Sequence, residues 1–300
     1  MALRSLHDLP APAKLNAFLR LAGRRDDGYH LLQSAFVLID WADVLHIECR
    51  HDGRLARHDL GPALPDDDLC LRAARALQQA SGTTLGADLH VDKRVPWGAG
   101  MGGGSSDAAT VLLALNRLWR LHWPRDRLLA LALALGADVP FFVGGHNAWV
   151  EGIGERLSPL AWPATDYAVV KPPVSLPTRD VFVHPATRAV VDQASTAILA
   201  GSLAEAQQVQ DLASGWGRND LQPAAEELAP EVAQAARWLE ARFGNSRMTG
   251  SGSAVYARVG ASNSPEATRP DAGFERDLPA GWVGRSCRSL PIHPLAGWAD

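Results

Sequence analysis

The chain has little cysteine, no basic excess and no long apolar run. Its three cysteines, Cys49, Cys70 and Cys287, are far apart and odd in number, so they form neither a CxxC pair nor a disulfide framework. The expectation is reduced thiols in a cytoplasmic protein. No stretch approaches the ~18 apolar residues of a membrane-spanning helix. The nearest, Leu128 to Leu135, is short and alanine-rich. The opening MALRSLHDLPAPAKLN lacks the apolar segment of a signal peptide. Net charge is −4 at pH 7, so there is no basic surplus for sequence-independent binding of nucleic acid. Neither a membrane nor a nucleic acid is an expected partner.

What is present suits a folded enzyme-sized chain. Its 300 residues are 47% hydrophobic, enough for two modest domains. Lys14–Leu21 alternates as a strand does, and Ser34–Ile39 and Val44–Glu48 are rich in β-formers. Asp68 is a candidate N-cap for a helix to about Ser81. Ala87–Lys93 reads as a strand, Arg125–Leu135 as a helix stopped by Gly136, and His146–Glu151 and Tyr167–Lys171 as strands. Leu157–Thr165 reads as a linker, dividing 1–157 from 158–300. Helices are expected over about Arg188–Leu199, Leu203–Leu212 and Glu231–Phe243, a strand to Val259, and a loop over Ala261–Gly273, where two prolines allow about one helical turn. Strands and helices mix without regular βαβ alternation, which favours an α+β fold.

The segment from Val95 to Thr110, VPWGAGMGGGSSDAAT, is the most informative. Glycines at 98, 100, 102, 103 and 104 leave backbone N–H groups room to turn in on an anion. Ala108, Val111, Leu112, Leu115, Leu118 and Trp119 then follow one face of a helix, whose positive end would add to the grip. No lysine follows the glycines, which excludes the P-loop pattern. Gly98, Gly100 and Gly103 match G-x-G-x-x-G literally, but no second parallel strand and no acidic ribose partner follows. The candidates for holding a polyphosphate are Pro96, Trp97, Gly98, Ala99, Gly100, Met101, Gly102, Gly103, Gly104, Ser105 and Ser106. Asp107 must turn its charge away from the phosphates or towards a metal.

Pro12-Ala13-Lys14-Leu15-Asn16, the glycine segment and Met248-Thr249-Gly250-Ser251-Gly252 together resemble the GHMP kinase superfamily. Asp27-Gly28-Tyr29-His30 and Gly136-Ala137-Asp138-Val139-Pro140-Phe141 narrow the resemblance to a member acting on a cytidylated methylerythritol. The resemblance implies a two-domain α+β fold, with an N-terminal domain like ribosomal protein S5 domain 2 and a C-terminal substrate-binding domain. It also implies transfer of a phosphoryl group from ATP to the 2-hydroxyl of that substrate, a step towards isoprenoid precursors. Asp138 is the implied base, although a carboxylate ahead of Val139-Pro140 also suits a helix cap. Lys14 would be its partner, and Asn16, two residues on, shares the strand face. Tyr29 and His30 would recognise the cytosine ring, and Phe182 would close its other face. No carboxylate cluster has metal-ligand spacing, so Mg²⁺ is expected to arrive with ATP. A monomer or weak homodimer is expected. The rival readings are a homoserine- or mevalonate-type kinase and a catalytically silent nucleotide sensor. An RNA-binding S5-like module is disfavoured by the acidic charge.

Overall fold

The computed structural model describes residues 3–66, 68–193, 206–214, 217–259 and 273–299. Two long strands dominate it, β1 (Ser5–Arg24) and β2 (His30–Arg50), paired antiparallel as a ribbon. The ribbon turns through Arg25–Tyr29, where the Arg25 N–H donates to Tyr29 O. Both strands are longer than the alternation in the sequence indicates. Pro10 and Pro12 look like strand breakers, yet the pairing register shifts between Leu6 and Leu9 and between Pro12 and Lys14. Such irregularities tolerate residues without an N–H.

The ribbon anchors a six-stranded sheet with β3 (Leu55–Asp59), β4 (Gly86–Asp92), β5 (Ala148–Glu151) and β6 (Arg156–Pro159), in the order β3-β4-β2-β5-β6 with β1 also on β2. All of these pairs are antiparallel except β3 with β4. Strand β6 takes up the first part of the segment that reads as a linker, because Val150 pairs with Leu157 and Ala148 with Pro159.

Helix α1 (Leu69–Ser81) begins where its cap is expected, with the Asp68 carboxylate accepting from the Leu71 N–H at 3.0 Å. Helix α2 (Gly103–Leu118) starts two residues earlier than the apolar pattern suggests, and it is buried almost all round rather than along one stripe. It packs on β1 and β2 on one side and on α1, α3 (Arg125–Leu135) and α4 (Val139–Gly144) on the others.

The second sheet is antiparallel, in the order β10-β7-β9-β8, from β7 (Asp166–Lys171), β8 (Arg247–Met248), β9 (Val255–Val259) and β10 (Val283–Arg288). Helices α5 (Thr178–Val183), α6 (Pro185–Gln193), α7 (Ala206–Ala213), α8 (Gln222–Leu228) and α9 (Pro230–Phe243) complete this half. The second half of the expected 188–199 helix, the start of the 203–212 helix and all of the 261–273 loop but Gly273 lie outside the described residues. The two sheets with their helices make the two-domain α+β fold expected.

After β10 the chain returns to the first sheet. The Leu290 N–H donates to Leu38 O, Arg125 donates to Ala296 O, and Asn147 bridges the two, accepting from Leu38 N–H (2.8 Å) and donating to Leu290 O (2.9 Å). Asn147 is 1% exposed, so Asn147→Ala strands a buried backbone donor and acceptor together. We expect a loss of about 2 kcal/mol and a melting temperature about 5 °C lower in calorimetry, with substrate affinities unchanged.

Candidate active site

The glycine segment, β1 and the turn at 249–253 meet backbone to backbone. Lys14 N–H donates to Met101 O (2.9 Å), Ser253 N–H to Gly98 O (3.2 Å) and Ala254 N–H to Ala99 O (3.2 Å). A Cβ on Gly100 would lie 2.3 Å from Thr249 O, and one on Gly250 would lie 2.6 Å from Gly100 O, so no side chain fits at either position.

Gly98, Gly100 and Gly102 take φ of +63°, +71° and +71°, with Ala99 and Met101 between them outside that left-handed region. Alternation of this kind turns successive N–H groups into one concavity. Helix α2 then begins with no side chain capping it, which leaves its first N–H groups for a ligand. A cavity of about 300 Å³ lies over this surface, lined by Pro96, Trp97, the five glycines and Ser105. Trp97 is 59% exposed at its rim. Ser106 is not in the lining: it is buried beneath, and its Oγ has no hydrogen-bond partner.

Under the cradle sits an ionic group that the motif reading missed. Lys93 Nζ donates to Asp107 Oδ2 at 2.7 Å and also to Asp43. Asp43 Oδ1 accepts from the N–H groups of Arg94 (2.6 Å) and Val95 (2.7 Å), holding the chain where it enters the loop. Burial pushes the Asp107 carboxyl up, Lys93 works against this and the Asp43 charge adds to it, leaving it at about 8. The carboxyl, in the second turn of α2, is thus pushed towards its uncharged form beneath the cradle. The available signal was scarcity: Lys14, Lys93 and Lys171 are the three lysines in the sequence. Lys14 and Lys171 are buried and the Lys93 side chain is 9% exposed.

Lys14 and Asp138 are brought together, with Nζ 3.7 Å from Oδ2. Lys14 is 3% exposed and also donates to Asn16 Oδ1 at 2.5 Å, with its Nζ 4.5 Å from the centre of the Phe36 ring. Asn16 is fixed in turn, donating to Ser34 Oγ at 2.9 Å and accepting from Thr249 Oγ1 at 3.3 Å. Burial pulls the Lys14 ammonium below its ordinary value, and Asp138 offsets part of that. Asp138 stands at the N-terminus of α4 but makes no capping hydrogen bond, so its carboxylate is not used as a helix cap. Its side chain is 33% exposed and reachable from solvent.

Tyr29, His30 and Phe182 share a second cavity of about 910 Å³ with Arg24, Arg179 and Arg188. The His30 and Phe182 rings lie 5.2 Å apart, tilted by 38°, and Tyr29 is 60% exposed. Phe182 is carried by α5, a helix absent from the sequence reading. Partial burial and the Arg24 charge pull the His30 imidazole below its usual value, so at neutral pH it offers one donor and one acceptor nitrogen. The cavity wall joins the Lys14 region through Thr178, whose Oγ1 is 2.9 Å from Ser251 Oγ in the 249–253 turn.

A concave glycine segment at a helix N-terminus beside a lysine–carboxylate pair suits a small-molecule kinase. The model for the GHMP kinases N terminal domain matches residues 68–146, and that for GHMP kinases C terminal matches 194–270. Over 299 residues the chain is 59% identical to a 4-diphosphocytidyl-2-C-methyl-D-erythritol kinase of Methylibium petroleiphilum, covering 100% of both. It is 53% identical to the protein of that name from Paracidovorax citrulli, over 99% of each. A crystal structure of a 4-(cytidine 5'-diphospho)-2C-methyl-D-erythritol kinase superposes with a TM-score of 0.77 at 34% identity, covering 94% of this chain and 98% of that one. A homoserine kinase from Cytophaga hutchinsonii shares the fold, with a TM-score of 0.66 at 18% identity and coverage of 98% and 96%. The chain belongs to the GHMP kinase family, in the group of the 4-diphosphocytidyl-2-C-methyl-D-erythritol kinases. No helix among the described residues is long and apolar enough to cross a membrane.

Ionisation of Asp107 places a negative charge at the phosphate end of α2. The KM for ATP is expected to rise as pH climbs through about 8 in the wild type. It should stay flat across that range in Asp107→Asn, as steady-state ADP release at graded pH would show.

Proposed function

We propose that this kinase transfers the γ-phosphoryl group of ATP to the 2-hydroxyl of 4-diphosphocytidyl-2-C-methyl-D-erythritol, giving the 2-phosphate and ADP. The observation that carries the catalytic assignment is the Lys14–Asp138 pair, with the carboxylate left uncapped and open to solvent. Asp138 accepts the proton as the hydroxyl attacks phosphorus. Lys14 faces that carboxylate and stabilises charge on the reacting oxygens. Asn16, which holds Lys14 Nζ on its Oδ1, orients the acceptor.

The surface from Pro96 to Ser105 receives the triphosphate, with α2 directed at it. Mg²⁺ bound with ATP would supply neutralisation of phosphate charge. The unpartnered Ser106 Oγ is a protein oxygen that fits it or one of its waters. Tyr29 and Phe182 take the faces of the cytosine ring and neutral His30 reads its edge. Residues 1–157 form the ATP-binding domain and 158–300 the substrate-binding domain, in a monomer or weak homodimer that binds neither nucleic acid nor membrane.

The test is ADP release with Mg-ATP and, in parallel, the cytidylated substrate, homoserine and mevalonate. Turnover is expected with the first alone. Asp138→Asn should lower kcat by about 10²–10⁴ with little change in either KM. Turnover with homoserine or mevalonate instead would discard the cytidine pocket and keep the fold. The charged Lys14 is the working form, so kcat should fall as pH rises through a value below the ordinary lysine pKa. In Lys14→Arg that alkaline limb should disappear.

A further inference from the structure

The proposed substrate has three parts in a fixed order: a pyrimidine nucleoside, a diphosphate and an acceptor alcohol. The site offers a feature for the first and the last. For the middle part we propose that Arg179 and Arg188 form a diphosphate clamp, an inference that rests on the cytidylated-substrate reading above.

The argument is one of position. Arg179 and Phe182 lie three residues apart on α5 and therefore share a helix face. Phe182 is the ring packed on His30 at the base end. Thr178, next to Arg179, is bonded to Ser251 in the turn whose Thr249 holds Asn16 and so adjoins Lys14. Along the cavity wall the order is thus ring, guanidinium, then the link to the catalytic pair. That is the order of base, diphosphate and alcohol in the substrate. Arg188 reaches the same cavity from α6.

Charge points the same way. Arg179 and Arg188 have exposed side chains, and neither makes an ion pair or side-chain hydrogen bond with the described residues. Arg24, also in the lining, is occupied in holding the turn, its Nε donating to Gly28 O at 3.1 Å. Of the acids in the lining, Asp27 is paired with Arg25 at 2.7 Å, which leaves Asp192 as the opposing charge. Two free guanidiniums in one concave surface match the oxygens of a diphosphate, which each can take in a two-pronged grip.

The experiment is calorimetric titration of the full chain with CDP and with cytidine, the glycine cradle saturated with a non-hydrolysable ATP analogue. Wild type, Arg179→Gln, Arg188→Gln and the double variant are compared. Wild type should bind CDP at least about tenfold more tightly than cytidine, and the double variant should bind the two alike. Its cytidine affinity should match that of wild type, which also shows that the cavity is folded. In turnover, the KM for the cytidylated substrate should rise about tenfold with kcat and the KM for ATP held. Arg179→Lys should recover part of the loss, a point charge replacing a fork. A double variant that keeps the CDP preference overturns the clamp. Wild type binding CDP and cytidine equally also overturns it while leaving the nucleoside pocket intact. Wild type binding neither overturns the cytidine reading itself.

Discussion

The contact between the glycine segment and the 249–253 turn organises the molecule. Two stretches of main chain approach so closely that Thr249 and Gly252 leave no room for a side chain on Gly100, and Gly100 none for one on Gly250. The hydrogen bonds from Ser253 and Ala254 to Gly98 and Ala99 then fix how they slide past one another. Everything chemical is referenced to this seam. Its first-domain side continues into the phosphate cradle, and β1 is tied to it through Met101. Its second-domain side carries Thr249, which positions Asn16, and Ser251, which meets the wall of the base cavity. The relative placement of these groups is therefore set by main-chain geometry.

Charge is distributed with equal economy. Lys14 and Lys93 each face carboxylates, and in each case burial sets the balance. Lys14 loses stability in its charged form, while Lys93 is held above the usual lysine value because Asp107 and Asp43 outweigh the cost of burial. Lys14 is paired with the partly exposed Asp138, whereas Lys93 is enclosed, tied to Asp43 at the loop entrance and to Asp107 in the second turn of α2.

Local signals in the sequence were faithful where the physics was local. The Asp68 cap, the glycines at positive φ and the two-residue spacing of Lys14 and Asn16 need only neighbouring residues, and each could be read directly. The lengths of β1 and β2 could not, because Pro10 and Pro12 are accommodated by register shifts that exist only once the ribbon is paired. The Lys93 triad was hidden for a similar reason: Asp43 is 50 residues from Lys93 and comes to it by the pairing of β2 with β4. Phe182 shares a cavity with Tyr29 and His30, but the short α5 that presents it has no periodicity to reveal it. Asp138 suited both a cap and a base in sequence. In the structure the carboxylate makes no capping bond.

The return of the chain to its starting sheet has a consequence for how the protein is made. Strands β1 and β2 are made long before residues 290–296, yet Asn147, Arg125 and the Leu38 carbonyl each take one of their hydrogen-bond partners from that segment. In topological terms the segment after β10 straps the first sheet. That sheet must therefore hold these buried polar groups open until residues 290–296 have been made. Its final closure and the docking of the second domain become a single late event.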